Sequence, residues 1–183
     1  MNVGILGCGL IADFHLPHIL KQPEVGSVSV ADLNRDRAEA TAKKYGLENV
    51  YPDLSSMLGD QKIDVIHVLT PPATHARLAI QAVEAGCHVF VEKPMALSAA
   101  EAEAMVAAAQ RNSVKLAVDH NFLLSPIMRQ IGSMVKNGQL GRLTHVEANY
   151  SFDIRRSPHL NTACARAMMR RVHWSWRPAA GVR

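Results

Sequence analysis

The chain has 183 residues, 48% hydrophobic and 20% charged, an ordinary balance for a globular protein. No apolar stretch approaches the roughly 20 residues that span a bilayer, which argues against a membrane role. Met1 almost abuts the first apolar run, so no signal or transit peptide is expected. The three cysteines, Cys8, Cys87 and Cys164, form no CxxC pair and point to a reducing, cytoplasmic setting. The net charge of +4 changes meaning when divided along the chain. Residues 154–183 hold seven arginines, no lysine and no acid, which leaves residues 1–153 with 13 basic against 16 acidic groups, a net of −3. A nucleic-acid binder displays its basic charge on a folded face, so that class is set aside.

Val3 to Leu6 reads as a buried strand, and the turn after it is Gly7, Cys8, Gly9, Leu10, Ile11, Ala12. Gly7 permits a tight turn, Gly9 lets the backbone approach a ligand, and Ala12 is small enough for helix to pack on strand. The helix N-terminus then offers free N–H groups to an anion. Pro17 predicts a kink or an early end to that helix. Val28 to Ala31 is the next strand, closed by Asp32 at the spacing of an acid that accepts from an adenosine ribose. Strand, glycines, helix and acid in this order point to a bound dinucleotide. Asp32 favours NAD over NADP, and Arg35 and Arg37 weaken that preference because either could turn toward a 2′-phosphate.

A helix over residues 36–45 stops at Gly46. Val65 to Leu69 is the next strand, followed by Thr70, Pro71, Pro72, and a helix from Thr74 to Ala85 ends at Gly86. His88 to Val91 forms a further strand. Ser98 and Glu101 make a capping-box signature for an alanine-rich helix to about Arg111, and Leu116 to Val118 is the last strand of the series. Apolar strands alternating with helices imply an α/β fold with a doubly wound parallel sheet. The pattern changes near residue 122. Ser125-Pro126 caps a helix ending at Asn137-Gly138, and Leu143 to Phe152 alternates as a half-exposed strand. The expected domains are 1–122 for the dinucleotide and 123–183 for an incomplete α+β domain with an arginine-rich tail from about 154.

Glu92-Lys93-Pro94 lies at the carboxyl end of a strand, where ligands bind in open α/β sheets. Lys93 there is placed to hydrogen-bond a substrate hydroxyl, with Pro94 a candidate for a cis bond; the bland alternative is a solvated lysine. His15 and His18 lie one turn apart without a visible third ligand, so no metal is expected. His75 is read as a cofactor contact or a water-facing helix start, and Cys8 as a small filler rather than a nucleophile. His120 and Asn121 are read as ending the last strand of the sheet, with His145, His159 and His173 at the surface or in the tail.

The segments Gly7–Ala12, Ala31-Asp32, Thr70-Pro71-Pro72-Ala73-Thr74-His75, Glu92-Lys93-Pro94-Met95-Ala96 and Gly141-Arg142-Leu143 together resemble the glucose–fructose oxidoreductase and inositol 2-dehydrogenase family, the Gfo/Idh/MocA group. The resemblance covers roughly residues 1–150. It implies a Rossmann-type domain and NAD(P)-dependent hydride transfer with a sugar, cyclitol or related polyol. It also implies that the Thr70–Pro72 loop lines the nicotinamide end, that His75, Glu92, Lys93 and Asn121 are further cofactor contacts, and that Lys93 contacts substrate as the catalytic residue. A homo-oligomer is expected for a full-length version. Family members run to about twice this length, with a histidine proton acceptor for which this chain shows no counterpart. Two other functions stay open: a non-catalytic dinucleotide-binding module, and an NAD-dependent glycosidase that redox-cycles its cofactor.

Overall fold

The computed structural model describes residues 1–147. Its elements are β1 (Asn2–Leu6), α1 (Ala12–Ile19), β2 (Ser27–Ala31), α2 (Arg35–Tyr45), β3 (Asn49–Tyr51), α3 (Leu54–Asp60), β4 (Val65–Val68), α4 (His75–Glu84), β5 (His88–Val91), α5 (Ala99–Arg111), β6 (Leu116–Val118) and α6 (Pro126–Lys136). The six strands form one parallel sheet in the order β3-β2-β1-β4-β5-β6. The order reverses between β1 and β4, which makes that junction the switch point where ligands settle in such sheets. By contacts the chain divides into a unit of residues 1–121 and a second unit from Phe122 onward.

The strand side chains alternate between two cores. Val3, Ile5, Val28 and Val30 pack against Leu16 of α1 and Ala38 and Ala42 of α2 on one face. Ile66, Val68, Val89 and Val91 pack on the other face against Met57 of α3, Ala79, Ala82 and Val83 of α4, and Met105 and Ala108 of α5. β1 and β2 are buried on both faces from their second residue to their last, which suits the apolar run of β1 and the small residues of β2, where the buried Ser29 accepts from Gln61 Nε2. β4 and β5 are buried fully on the α3–α5 side only. Their other side carries His67 and Phe90, both half-buried.

Local chemistry sets the element ends. Asn34 and Asp53 cap α2 and α3 by accepting the N–H groups of Arg37 and Ser56. Ser98 caps α5 by accepting from Glu101 N–H at 3.2 Å, while Glu101 accepts instead from Leu97 N–H. Gly46 and Gly86 take positive φ, 67° and 84°, where α2 and α4 stop. α1 runs through Pro17 and stops two residues later, an early end without a break. A one-turn 3₁₀ segment, Pro72–Thr74, precedes α4.

The sequence reading passed over β3 and α3, which are three and seven residues long. Asn121 does not end a strand: β6 stops at Val118 and Asn121 opens a 3₁₀ turn, Asn121–Leu124. Residues 143–147 form no strand, since a strand exists through its ladder and no described residue pairs with them. Residues 148–152 of that expected strand, the arginine-rich tail, Cys164, His159 and His173 lie outside the described residues. Among the described residues, no helix is long and apolar enough to cross a membrane.

Candidate dinucleotide site

The turn after β1 is built around two glycines with different duties. Gly7 has φ 95°, and a Cβ there would lie 2.9 Å from the Leu69 carbonyl carbon and oxygen. Both the backbone angle and the space demand glycine. Its N–H donates to the Ala31 carbonyl at 2.8 Å, extending the β1–β2 ladder into the turn. Gly9 is the opposite case: a Cβ there would meet nothing within 4 Å. No protein atom requires glycine at this point, so the bare backbone is available to a ligand. The turn's next bonds, Ala12 N–H to Gly9 and Asp13 N–H to Leu10, already wind α1. Leu10 is exposed at the rim and Ile11 half-buried, while Cys8 and Ala12 are buried beneath. Burial first, and Asp32 second, push the Cys8 thiol up to about 11, so it fills space and is no nucleophile near neutrality.

Asp32 stands across the turn at the end of β2. Its carboxylate accepts from Cys8 N–H at 2.9 Å and from Asn34 N–H at 2.8 Å, with the Arg37 guanidinium 3.5 Å away. Two backbone donors therefore aim the carboxylate over the Gly7–Gly9 turn. Oδ1 keeps a further lone pair for a ribose hydroxyl, while the second lone pair of Oδ2 faces Arg37 Nη1 at 3.5 Å. Glycine turn, helix N-terminus and aimed carboxylate suit the two phosphates and adenosine ribose of NAD.

The other loops meet at the carboxyl ends of β4, β5 and β6. Thr74 Oγ1 lies 2.7 Å from Thr70 Oγ1 and 2.8 Å from the Pro71 carbonyl oxygen, which stiffens the Thr70–Pro72 loop and leaves Pro71 and Pro72 exposed. His75 opens α4 but does not face water. Its ring is 1% exposed, with Nε2 2.7 Å from the Thr70 carbonyl oxygen and Nδ1 2.8 Å from that of Pro94. It ties the Thr70 loop to the Lys93–Pro94 turn, whose peptide bond is cis. Glu92 is likewise turned inward. One oxygen accepts from Lys93 N–H at 2.8 Å and the other lies 3.6 Å from His15 Nε2. Lys93 and Asn121 are exposed.

His15, which the sequence leaves without a third partner beside His18, gains its neighbours from the sheet instead. His15 reaches from α1 to the strand ends, with Nε2 3.6 Å from Glu92 and 3.5 Å from Asp119, and Nδ1 3.3 Å from His67 Nδ1. His18 does not join it and is exposed. Burial, then His15, pull the His67 imidazole down to about 4, so it stays neutral in ordinary buffers. These residues are 52 to 104 positions apart along the chain from His15, and only the parallel sheet brings them together.

Known proteins resemble this chain in sequence and in fold. A D-glucoside 3-dehydrogenase of Escherichia coli is 34% identical over 144 residues, covering 78% of this chain and 41% of that protein. A myo-inositol 2-dehydrogenase of Thermotoga maritima is 27% identical over 142 residues, covering 78% of this chain and 42% of that protein. The WlbA dehydrogenase of Bordetella pertussis, solved with NADH and UDP-GlcNAcA, superposes with a TM-score of 0.73 at 28% identity, covering 78% of this chain and 41% of that one. The chain thus spans about two fifths of the length of the curated relatives it matches. Residues 1–120 match the oxidoreductase family with an NAD-binding Rossmann fold, GFO_IDH_MocA, and the chain belongs to that family.

Proposed function

We propose that this chain is the cofactor-holding part of an NAD-dependent dehydrogenase acting on a sugar, cyclitol or related polyol. The observation that carries the reading is the pair of glycines, Gly7 demanded by the fold and Gly9 demanded by nothing in the protein, beneath the aimed carboxylate of Asp32. Gly7 to Ala12 would hold the pyrophosphate, Asp32 the adenosine ribose, and the Thr70–Pro72 loop with Asn121 the nicotinamide end. When bound, NAD accepts a hydride at its nicotinamide ring. Lys93, free of the inward bonds that occupy Glu92 and His75, faces substrate and steadies the oxygen that loses its proton. His75 and Glu92 act indirectly, by fixing the turn that presents Lys93. Cytoplasmic residence suits the two buried free thiols, Cys8 and Cys87.

Asp32 also predicts the choice between cofactors, because a carboxylate repels the 2′-phosphate of NADP. Titration of both dinucleotides at equal salt should show NAD bound more tightly; tighter NADP binding would mean that Arg37 has turned from Asp32 to the phosphate. In an active version of the enzyme, Lys93→Ala is expected to lower kcat by about 10²–10⁴-fold with NAD affinity retained. An unchanged kcat would return Lys93 to the role of a solvated strand-end residue.

A further inference from the structure

We propose that His15, Glu92 and Asp119 form a binding site for a divalent first-row transition metal ion, with zinc the best fit. The inference does not depend on the oxidoreductase reading, since it concerns a group of side chains that the dinucleotide cradle does not use.

The three donors come from three elements. His15 sits in the second turn of α1, Glu92 follows β5 and Asp119 follows β6. Backbone bonds from Glu92 N–H to Val68 and from Asp119 N–H to Val91, 3.0 and 2.9 Å, extend the sheet one step and set the two acids side by side. His15 Nε2 is 3.6 Å from Glu92 Oε1 and 3.5 Å from Asp119 Oδ2, and the three atoms all lie within 4.8 Å of one another. Zinc bonds of 2.0–2.2 Å in a tetrahedron place neighbouring ligand atoms about 3.4 Å apart. The His15 distances are therefore those of two edges around an ion, and longer than a direct N–H···O bond. Charge also balances, because two carboxylates and a neutral imidazole cancel a divalent cation.

Support behind the donors points the same way. Ligating histidines donate their second ring N–H, and ligating carboxylates are themselves held. His15 Nδ1 has His67 Nδ1 at 3.3 Å as its acceptor, and Glu92 Oε2 is fixed by Lys93 N–H, which leaves Oε1 as the free monodentate donor. The donor side chains are 10%, 12% and 17% exposed, sheltered yet reachable. Three protein donors leave a fourth position for water.

Cobalt(II) is the probe, because low-coordinate cobalt gives intense visible bands and hydrated cobalt does not. Chelator-treated 183-residue chain titrated with Co²⁺ should develop those bands at one ion per chain, and Zn²⁺ should displace them. His15→Ala and Asp119→Asn should each abolish them. His67→Ala should weaken affinity by about 10–100-fold, the usual effect of losing a partner behind a ligand. His18→Ala, one turn along α1, should change nothing, and circular dichroism confirms that each variant is folded. The wild-type titration stands without any variant. Absence of the bands there would overturn the proposal and leave His15 as a ring set beside two carboxylates without an ion. Bands that persist without His15 or Asp119 would overturn it as well.

Discussion

Gly7 combines a φ of 95° with a backbone neighbour 2.9 Å from where a Cβ would sit, so Gly7→Ala strains the turn and pushes it off Leu69. A residue held at such an angle costs about 1–3 kcal/mol, and the urea midpoint of Gly7→Ala should fall accordingly. An unchanged midpoint would show that the turn relaxes freely. Cys8 carries a pH prediction. Its thiol is raised from 9.0 to about 11 in the fold, so its contribution to stability is complete below pH 9 and is lost as pH climbs through 11. Unfolding free energies at pH 8 and 10.5 should therefore differ more in the wild type than in Cys8→Ala; equal differences would contradict it. Glycines and Asp32 were legible in the sequence because their duties depend on neighbours in the same strand–turn–helix unit. The burial of His75 and the inward turn of Glu92 were not legible, because their partners, Thr70 and Pro94 for one and His15 for the other, are set by the assembled sheet.

At the scale of elements, apolar runs and helix caps identified five of the six strands and five of the six α-helices among the described residues. What stayed hidden was short. β3 has three half-buried residues, and α3 declares itself only by its Asp53 cap. α3 nevertheless fills the core. Met57 is 0% exposed, and a Cβ on Gly4 of β1 would come 2.7 Å from its sulfur. Strand glycine and helix methionine are thus complementary in volume. Met57→Ala should cost about 2–5 kcal/mol, measured by denaturant unfolding. A cost below about 1 kcal/mol would mean that α3 collapses into the gap. For residues 143–147 of the strand expected from Leu143 the reason is the reverse: alternation specifies a face, but a ladder needs a second strand, and among the described residues none pairs with them.

For the whole molecule, the unit of residues 1–121 has its own two-sided core, whereas the described part of the second unit does not. Phe122, Leu123, Leu124, Ile127, Ile131 and Val135 are all 40% or more exposed along the 3₁₀ turn and α6. Apolar surface of that kind drives association. The 183-residue chain should self-associate on size exclusion with light scattering, and residues 1–121 alone should run as a monomer; a monomeric full chain would contradict this. The central claim is that the β1–α1 turn is shaped for a dinucleotide rather than for the fold alone, and Gly9 separates the two. No atom lies within 4 Å of where a Cβ would sit there, so Gly9→Val should leave the melting temperature in place. The most direct measurement is a calorimetric NAD titration of wild type and Gly9→Val, each with its melting curve. The account predicts NAD binding by the wild type and a loss of more than about tenfold, or about 1.4 kcal/mol, in a variant that melts as the wild type does. Equal affinities, or a wild type that does not bind NAD, would contradict it.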